Sequence, residues 1–300
     1  MRILLTGING QVGFELQKQL VLLDNIELIA LTREQLDLSD PAAIHAVLAL
    51  YQPHIIINPA AYTAVDKAET DMAQAMAVNA NAPKILAKWA GEQQALLIHY
   101  STDYVFDGTK TGAYLEDDTT NPQSVYGTSK FLGEQSVRLY APQHIILRTS
   151  WVFGLHGHNF IKTILRLAQE RDSLNMVADQ YGAPTSAALI ALVTTNIVRQ
   201  YIASQHISYG TYHLTASGET TWYDYAQFIL DYCESKGVSQ RLSRQAVCAI
   251  PTSAYPVPAK RPLNSRLLCH KLNKNFNVSL PSWREGVSDV LLQLLSTRVA

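Results

Sequence analysis

The first thirteen residues do most to fix the fold. Arg2-Ile3-Leu4-Leu5-Thr6 reads as a short buried strand, and Gly7-Ile8-Asn9-Gly10-Gln11-Val12-Gly13 follows it at once. Apolar residues then recur at Val12, Leu16, Leu20 and Leu23, the period of a helix over about Gln11 to Leu23. Strand, glycine turn and helix in that order open a dinucleotide-binding unit. Glycine makes the tight turn and lets the backbone approach a pyrophosphate, which rests on the helix N-terminus. The expected cofactor contacts are Gly7, Gly10, Gln11, Val12 and Gly13.

The pattern repeats. A second strand, Glu27 to Leu31, ends at Thr32-Arg33, with Glu34 and Asp37 beyond. A dinucleotide site commonly carries an acid there for the ribose 2′-hydroxyl. The planar fork of Arg33 suits a 2′-phosphate instead, so NADPH is expected over NADH, with both usable. Asp40-Pro41 starts a helix, Asp40 as cap and Pro41 in the first turn. A third strand, His54 to Ile57, leads to Asn58-Pro59-Ala60-Ala61-Tyr62, where Ala60, Ala61 and Tyr62 are placed to lie against the cofactor. Val65 to Glu69 lines the substrate side. One helix is expected from Asp71 to about Gly91, with Met76, Leu86 and Trp89 in the core and Asn79 as a buried hydrogen-bonding residue. The class is α/β: a Rossmann-type doubly wound parallel sheet. Its dinucleotide-binding domain spans 1–150 plus about 188–214. A smaller C-terminal substrate lobe is expected from about 151–187 and 215–300.

The chemistry gathers between His99 and Lys130. The apolar run Ala95 to Ile98 predicts a strand whose carboxyl end carries Thr102, where open α/β sheets bind ligands. Tyr126 and Lys130, four residues apart, share a helix face. Tyr-x-x-x-Lys is a weak pattern in a chain with 15 Tyr. It gains force from Gly10, Ala60, Thr102 and Tyr126 all falling at carboxyl strand ends. A phenol has a pKa of roughly 10, and a nearby ammonium lowers it, the role expected of Lys130 toward Tyr126. Thr102 would hold a substrate oxygen as charge develops. The set fits general acid catalysis at a carbonyl that receives a hydride.

Composition excludes other classes. A net charge of -1 gives no electrostatic case for nucleic acid or an anionic membrane. The cysteines Cys233, Cys248 and Cys269 are odd in number and widely spaced, which predicts reduced thiols and a cytoplasmic setting. No signal peptide and no apolar run of membrane-spanning length are expected.

Longer stretches carry a resemblance. Gly7 to Gly13, Asn58 to Glu69, Ser101 to Phe106, Tyr126 to Lys130, Arg148 to Val152, Asp179 to Thr185 and Arg261 to Ser265 resemble the extended short-chain dehydrogenase/reductases. More narrowly they resemble the dTDP-4-dehydrorhamnose reductase family. The resemblance implies a dTDP-sugar substrate, with Tyr126 as proton donor and Lys130 as its partner and a ribose contact. It makes Thr102, Asp103, Tyr104, Val65 and Trp151 substrate contacts and puts Arg261 at the diphosphate. Asp37 and Leu38 fall beside the adenine, and Tyr100 joins the cofactor contacts. Some members hold Mg²⁺ at a dimer contact. Glu15 is present here, but the acids expected near Ala188 and Arg284 are absent, so no metal is expected, and a homodimer, if formed, would lack that link. The rivals are a dehydratase, an epimerase and a non-catalytic NADP-binding subunit of the methionine adenosyltransferase type. Tyr104 stands where a dehydratase carries a Glu base, Asp179 to Thr185 argues against an epimerase, and intact Thr102, Tyr126 and Lys130 favour catalysis.

Further on, a fifth strand is expected at His144 to Thr149 and a loop at His156 to Asn159. Phe160 to Glu170 reads as an amphipathic helix, Ala187 to Ile202 as a second, and Tyr212 to Leu214 as a last strand. An aromatic helix capped by Thr221 follows, and Pro251 to Pro262 reads as a loop.

Overall fold

Residues 1–296 are described by the computed structural model. Strand and helix alternate as the apolar pattern predicts: β1 (Arg2–Leu5), α1 (Gln11–Leu20), β2 (Glu27–Ala30), α2 (Pro41–Tyr51) and β3 (Ile55–Asn58). The Asp40 carboxylate accepts from the Ala42 and Ala43 N–H groups at 2.9 and 3.3 Å and so caps α2, with Pro41 in the first turn.

The helix expected from Asp71 to Gly91 is broken. A short α3 (Val65–Ala68) precedes α4 (Met72–Met76), a π-helical turn at Ala77–Asn81 and α5 (Ala82–Gln93). Leu86 is fully buried, Trp89 is half-buried, and Ala75 rather than Met76 is the buried residue of α4. Then come β4 (Leu96–Thr102), α6 (Val125–Tyr140) and β5 (His144–Thr149).

The remaining chain forms β6 (Val152–Phe153), α7 (Phe160–Glu170), β7 (Leu174–Val177), β8 (Tyr181–Gly182), β9 (Thr185–Ser186) and α8 (Ala187–Ser204). After these come β10 (Gly210–His213), β11 (Thr220–Thr221), α9 (Trp222–Ser235), β12 (Val247–Ile250), α10 (His270–Phe276) and α11 (Trp283–Ser296). Thr221 caps α9 through its hydroxyl, which accepts from the Asp224 N–H at 3.0 Å.

One sheet of six strands, in the order β10-β5-β4-β3-β1-β2, is parallel throughout. The order reverses between β1 and β3, so the crevice outside their carboxyl ends is the topological switch point. Alternation sorts the strand side chains between two layers. Leu5, Ile57, Ile98 and Leu147 face α1 and α8, while Leu4, Ile56, Leu97 and Ile146 face α2, α5 and α6. The pairs β6–β9, β7–β12 and β8–β11 lie outside this sheet. Their helices α7, α9 and α11 share one apolar cluster with α1 and α8. Contrary to expectation, α8 is long and apolar enough to cross a membrane by length and composition. Its Ile190, Val193, Ile197 and Val198 are buried in the core, which accounts for that composition.

Candidate active site

Thr102 closes β4 and caps the tight turn Asp103–Val105. Its hydroxyl donates to Asp103 Oδ1 at 3.0 Å and accepts from the Tyr104 N–H at 3.2 Å. Ser124 caps α6 by accepting from the Gly127 N–H at 3.1 Å, which puts Tyr126 in the first turn and Lys130 in the second. A Cβ on Gly127 would run into the Tyr104 carbonyl, so glycine lets α6 start directly on that turn. The Thr102 hydroxyl lies close enough to the Tyr126 phenol to lower it, and the Tyr104 ring meets the Tyr126 ring edge-on at 5.5 Å. Thr102, Asp103 and Lys130 are each buried to at least nine-tenths.

The electrostatics depart from the expectation for Lys130. Burial pushes the Tyr126 phenol up to about 12; the nearby Thr102 hydroxyl opposes this and the Asp103 charge adds to it. Lys130 is not what lowers the phenol; Thr102 is. Burial pulls the Lys130 ammonium down to about 8, against the pull of Glu134. Asp103 is raised to about 6, again by burial first. At neutral pH the phenol therefore keeps its proton, the condition a proton donor needs.

Other predicted residues separate into groups. Gly7 adopts φ +59°, and a Cβ there would meet the Ala60 Cβ at 2.8 Å. A Cβ on Gly13 would collide with the Gly7 carbonyl. Gly10 precedes α1 without a side chain to cap it. Glycine turn and Ala60 thus meet at the switch point, with a bare helix N-terminus between them, a cradle that fits a pyrophosphate. Val12 is half-buried in α1. Gln11 Oε1 accepts from Asn159 Nδ2 at 3.1 Å, and His156 Nε2 pairs with the Asn9 carbonyl at 2.9 Å. The polar loop after β6 therefore lies over the turn, a role for His156 that spacing alone did not indicate.

Arg33 is exposed at the end of β2. The Asp37 carboxyl is held below its usual range by hydrogen bonds from the Ser39 N–H and hydroxyl, with Arg33 adding to this. Leu38 is buried beside it. Tyr62 hangs on Asn79, whose side chain accepts from the Tyr62 N–H at 2.9 Å and donates to its carbonyl at 3.0 Å and to Ser129 Oγ at 3.0 Å. Asn79 lies in the π-helical turn, and Ser129 is a participant the sequence reading missed. Ala61 lies between Ala60 and Tyr62, half-buried. Val65 opens α3, where Asp66 pairs with Arg261 Nη2 at 2.8 Å. Arg261 is thereby drawn onto α3 from far along the chain.

One expectation needs correction. The side chain of Tyr100 does not reach the cofactor cleft: it points with Ile98 into the α8 layer and shares a 2.7 Å hydrogen bond with Thr194 Oγ1. Trp151, at φ +48°, is stacked by Trp222 at 3.7 Å and packs against Gly182. Among the described residues no three of His, Cys, Asp and Glu gather as metal ligands, and Glu15 pairs with Lys18 at 2.9 Å.

The family model for the RmlD substrate binding domain matches residues 1–296. This chain belongs to the dTDP-4-dehydrorhamnose reductase family. The Escherichia coli K12 dTDP-4-dehydrorhamnose reductase is 45% identical over 301 residues, covering 99% of each chain. The crystal structure of the Clostridium acetobutylicum dTDP-4-dehydrorhamnose reductase superposes with a TM-score of 0.88 at 36% identity, covering 98% of this chain and 100% of that one. The Bacillus anthracis reductase, solved in complex with NADP, gives 0.85 at 33% identity, covering 97% and 99%. Glu134, which sequence reasoning passed over, is bonded to Arg148 beside the site. They lie 14 apart in the chain and meet only through folding.

Proposed function

We propose that the chain reduces the C4 ketone of dTDP-4-dehydro-L-rhamnose to dTDP-L-rhamnose. The observation that carries this is the meeting of the Thr102 hydroxyl and the Tyr126 phenol at a strand end beside the glycine-turn crevice. NADPH, when bound, supplies the hydride that adds to C4; NADH serves less well. Gly7, Gly10 and Gly13 admit the pyrophosphate to the N-terminus of α1, with Gln11, Val12, Ala60, Ala61 and Tyr62 along its course. Arg33 takes the 2′-phosphate, and Asp37 and Leu38 flank the adenine.

Thr102 holds the ketone oxygen. As C4 gains the hydride, that oxygen gains negative charge and takes the proton from the Tyr126 phenol oxygen, leaving a phenolate. The Lys130 ammonium, one helical turn along α6, holds the nearby ribose. Asp103, Tyr104, Val65 and Trp151 line the sugar, and Arg261 exchanges Asp66 for the substrate's diphosphate. The cofactor thus binds the unit 1–150 with 188–214, and the sugar nucleotide the lobe built from 151–187 and 215–300. Among the described residues no disulfide joins Cys233, Cys248 and Cys269, which supports a cytoplasmic site of action.

The test is NADPH oxidation, followed by absorbance, on adding dTDP-4-dehydro-L-rhamnose. Tyr126→Phe is expected to lower kcat about 10²–10⁴-fold with KM near that of the parent. Parent-like turnover in that variant refutes the assignment.

A further inference from the structure

Glu134 has no part in the steps above, yet it lies fully buried one turn beyond Lys130 on α6. Residues four apart share a helix face. Arg148 of β5 grips the carboxylate twice, Nε to Oε1 and Nη2 to Oε2, both at 2.8 Å, and Arg138 Nη1 adds a bond of 2.9 Å. In the sheet Arg148 is the partner of Ser101, next to Thr102. Resting on the reductase reading, we propose that Glu134 is a positioning residue: its anchored carboxylate keeps the Lys130 ammonium charged, and Arg148 and Arg138 divide that carboxylate's charge with Lys130.

Lys130 is 2% exposed, so water does little to support its charge. The other groups around α6 do not replace Glu134. His99 of β4 faces Lys130 and is held neutral by burial first and then by Lys130 itself. Asp103, in the turn after β4, acts on Tyr126 and Tyr104. Glu69, just past α3, accepts from the Val125 N–H at 2.9 Å. His213 of β10 is buried and held neutral, near Arg148 and Glu134. Lys88 of α5 sits over the Tyr140 ring at the far end. Among these, Glu134 is the carboxylate that raises Lys130.

The direct test is a titration of Lys130 by its side-chain carbon resonance in ¹³C-lysine-labelled full-length protein, assigned with Lys130→Arg. Glu134→Gln is expected to move that titration down by about one pH unit, and Glu134→Asp to restore most of it. Arg138→Gln, at a partly exposed site that tolerates change, is expected to move it up, because more of the carboxylate then acts on Lys130. In kcat–pH profiles the alkaline limb should shift in the same directions. An equal loss of kcat at every pH with an unmoved titration would overturn the proposal. If Glu134→Gln does not fold, an unmoved titration in Arg138→Gln overturns it alone. Lack of turnover on the sugar nucleotide by the parent protein would count against the reductase reading and leave the NMR result standing.

Discussion

A buried lysine beside a buried tyrosine carries a cost that function explains. Lys130 is pulled down to about 8 from an ordinary 10.5, so between these values the folded chain binds fewer protons than the unfolded one. Its destabilisation is therefore full below pH 8 and fades as pH rises toward 10.5. Lys130→Met is expected to raise Tm at pH 7, to lose that advantage by about pH 10, and to abolish turnover. A fall in Tm at pH 7 on calorimetry would contradict this. At the other end of the site, Arg33→Ala should raise KM for NADPH roughly tenfold, the worth of a lost charge-assisted hydrogen bond, and leave KM for NADH unchanged. Equal effects on both would remove the 2′-phosphate contact. Much of this was legible in the chain, since Thr102, Tyr126 and Lys130 follow from a strand end and a four-residue spacing. The protonation states were not, because they depend on burial. The position of Tyr100 was legible and missed: period two puts it on the core face with Leu96 and Ile98.

Helix α6 carries both Tyr126 and Lys130, and its seat is set by backbone contact. A Cβ on Gly133 would strike the carbonyl of Asn79 in the π-helical turn. Gly→Ala in a helix ordinarily stabilises by about 1 kcal/mol. Here Gly133→Ala is expected instead to cost about 1–3 kcal/mol, as overpacking does, and to lower kcat by moving Tyr126 and Lys130 together. Urea unfolding and steady-state rates check both. That turn could not be read beforehand. One extra residue per turn barely changes the apolar period between Asp71 and Gly91, so a continuous helix was the natural expectation. By contrast α7 matched its predicted span, because Ile161, Ile164, Leu165 and Ala168 mark one face without ambiguity.

Across the molecule, the apolar cluster that joins α1 and α8 also holds α7, α9 and α11. The segments proposed to serve cofactor and sugar therefore share a core. A single cooperative unfolding transition is expected, with far-ultraviolet dichroism and tryptophan emission changing at the same denaturant concentration. Two separated midpoints would show that the lobe melts alone. The outline of the sheet was open to sequence reading because each strand is bounded by a turn or a capped helix. The merging of the core was not, since it depends on which faces of distant helices meet. The stacked indoles of Trp151 and Trp222, 14° from coplanar, have an optical consequence. Two such chromophores at 3.7 Å couple their excited states, so if the sugar binds beside them as proposed, its arrival should be readable as a change in the near-ultraviolet dichroic couplet, without any label.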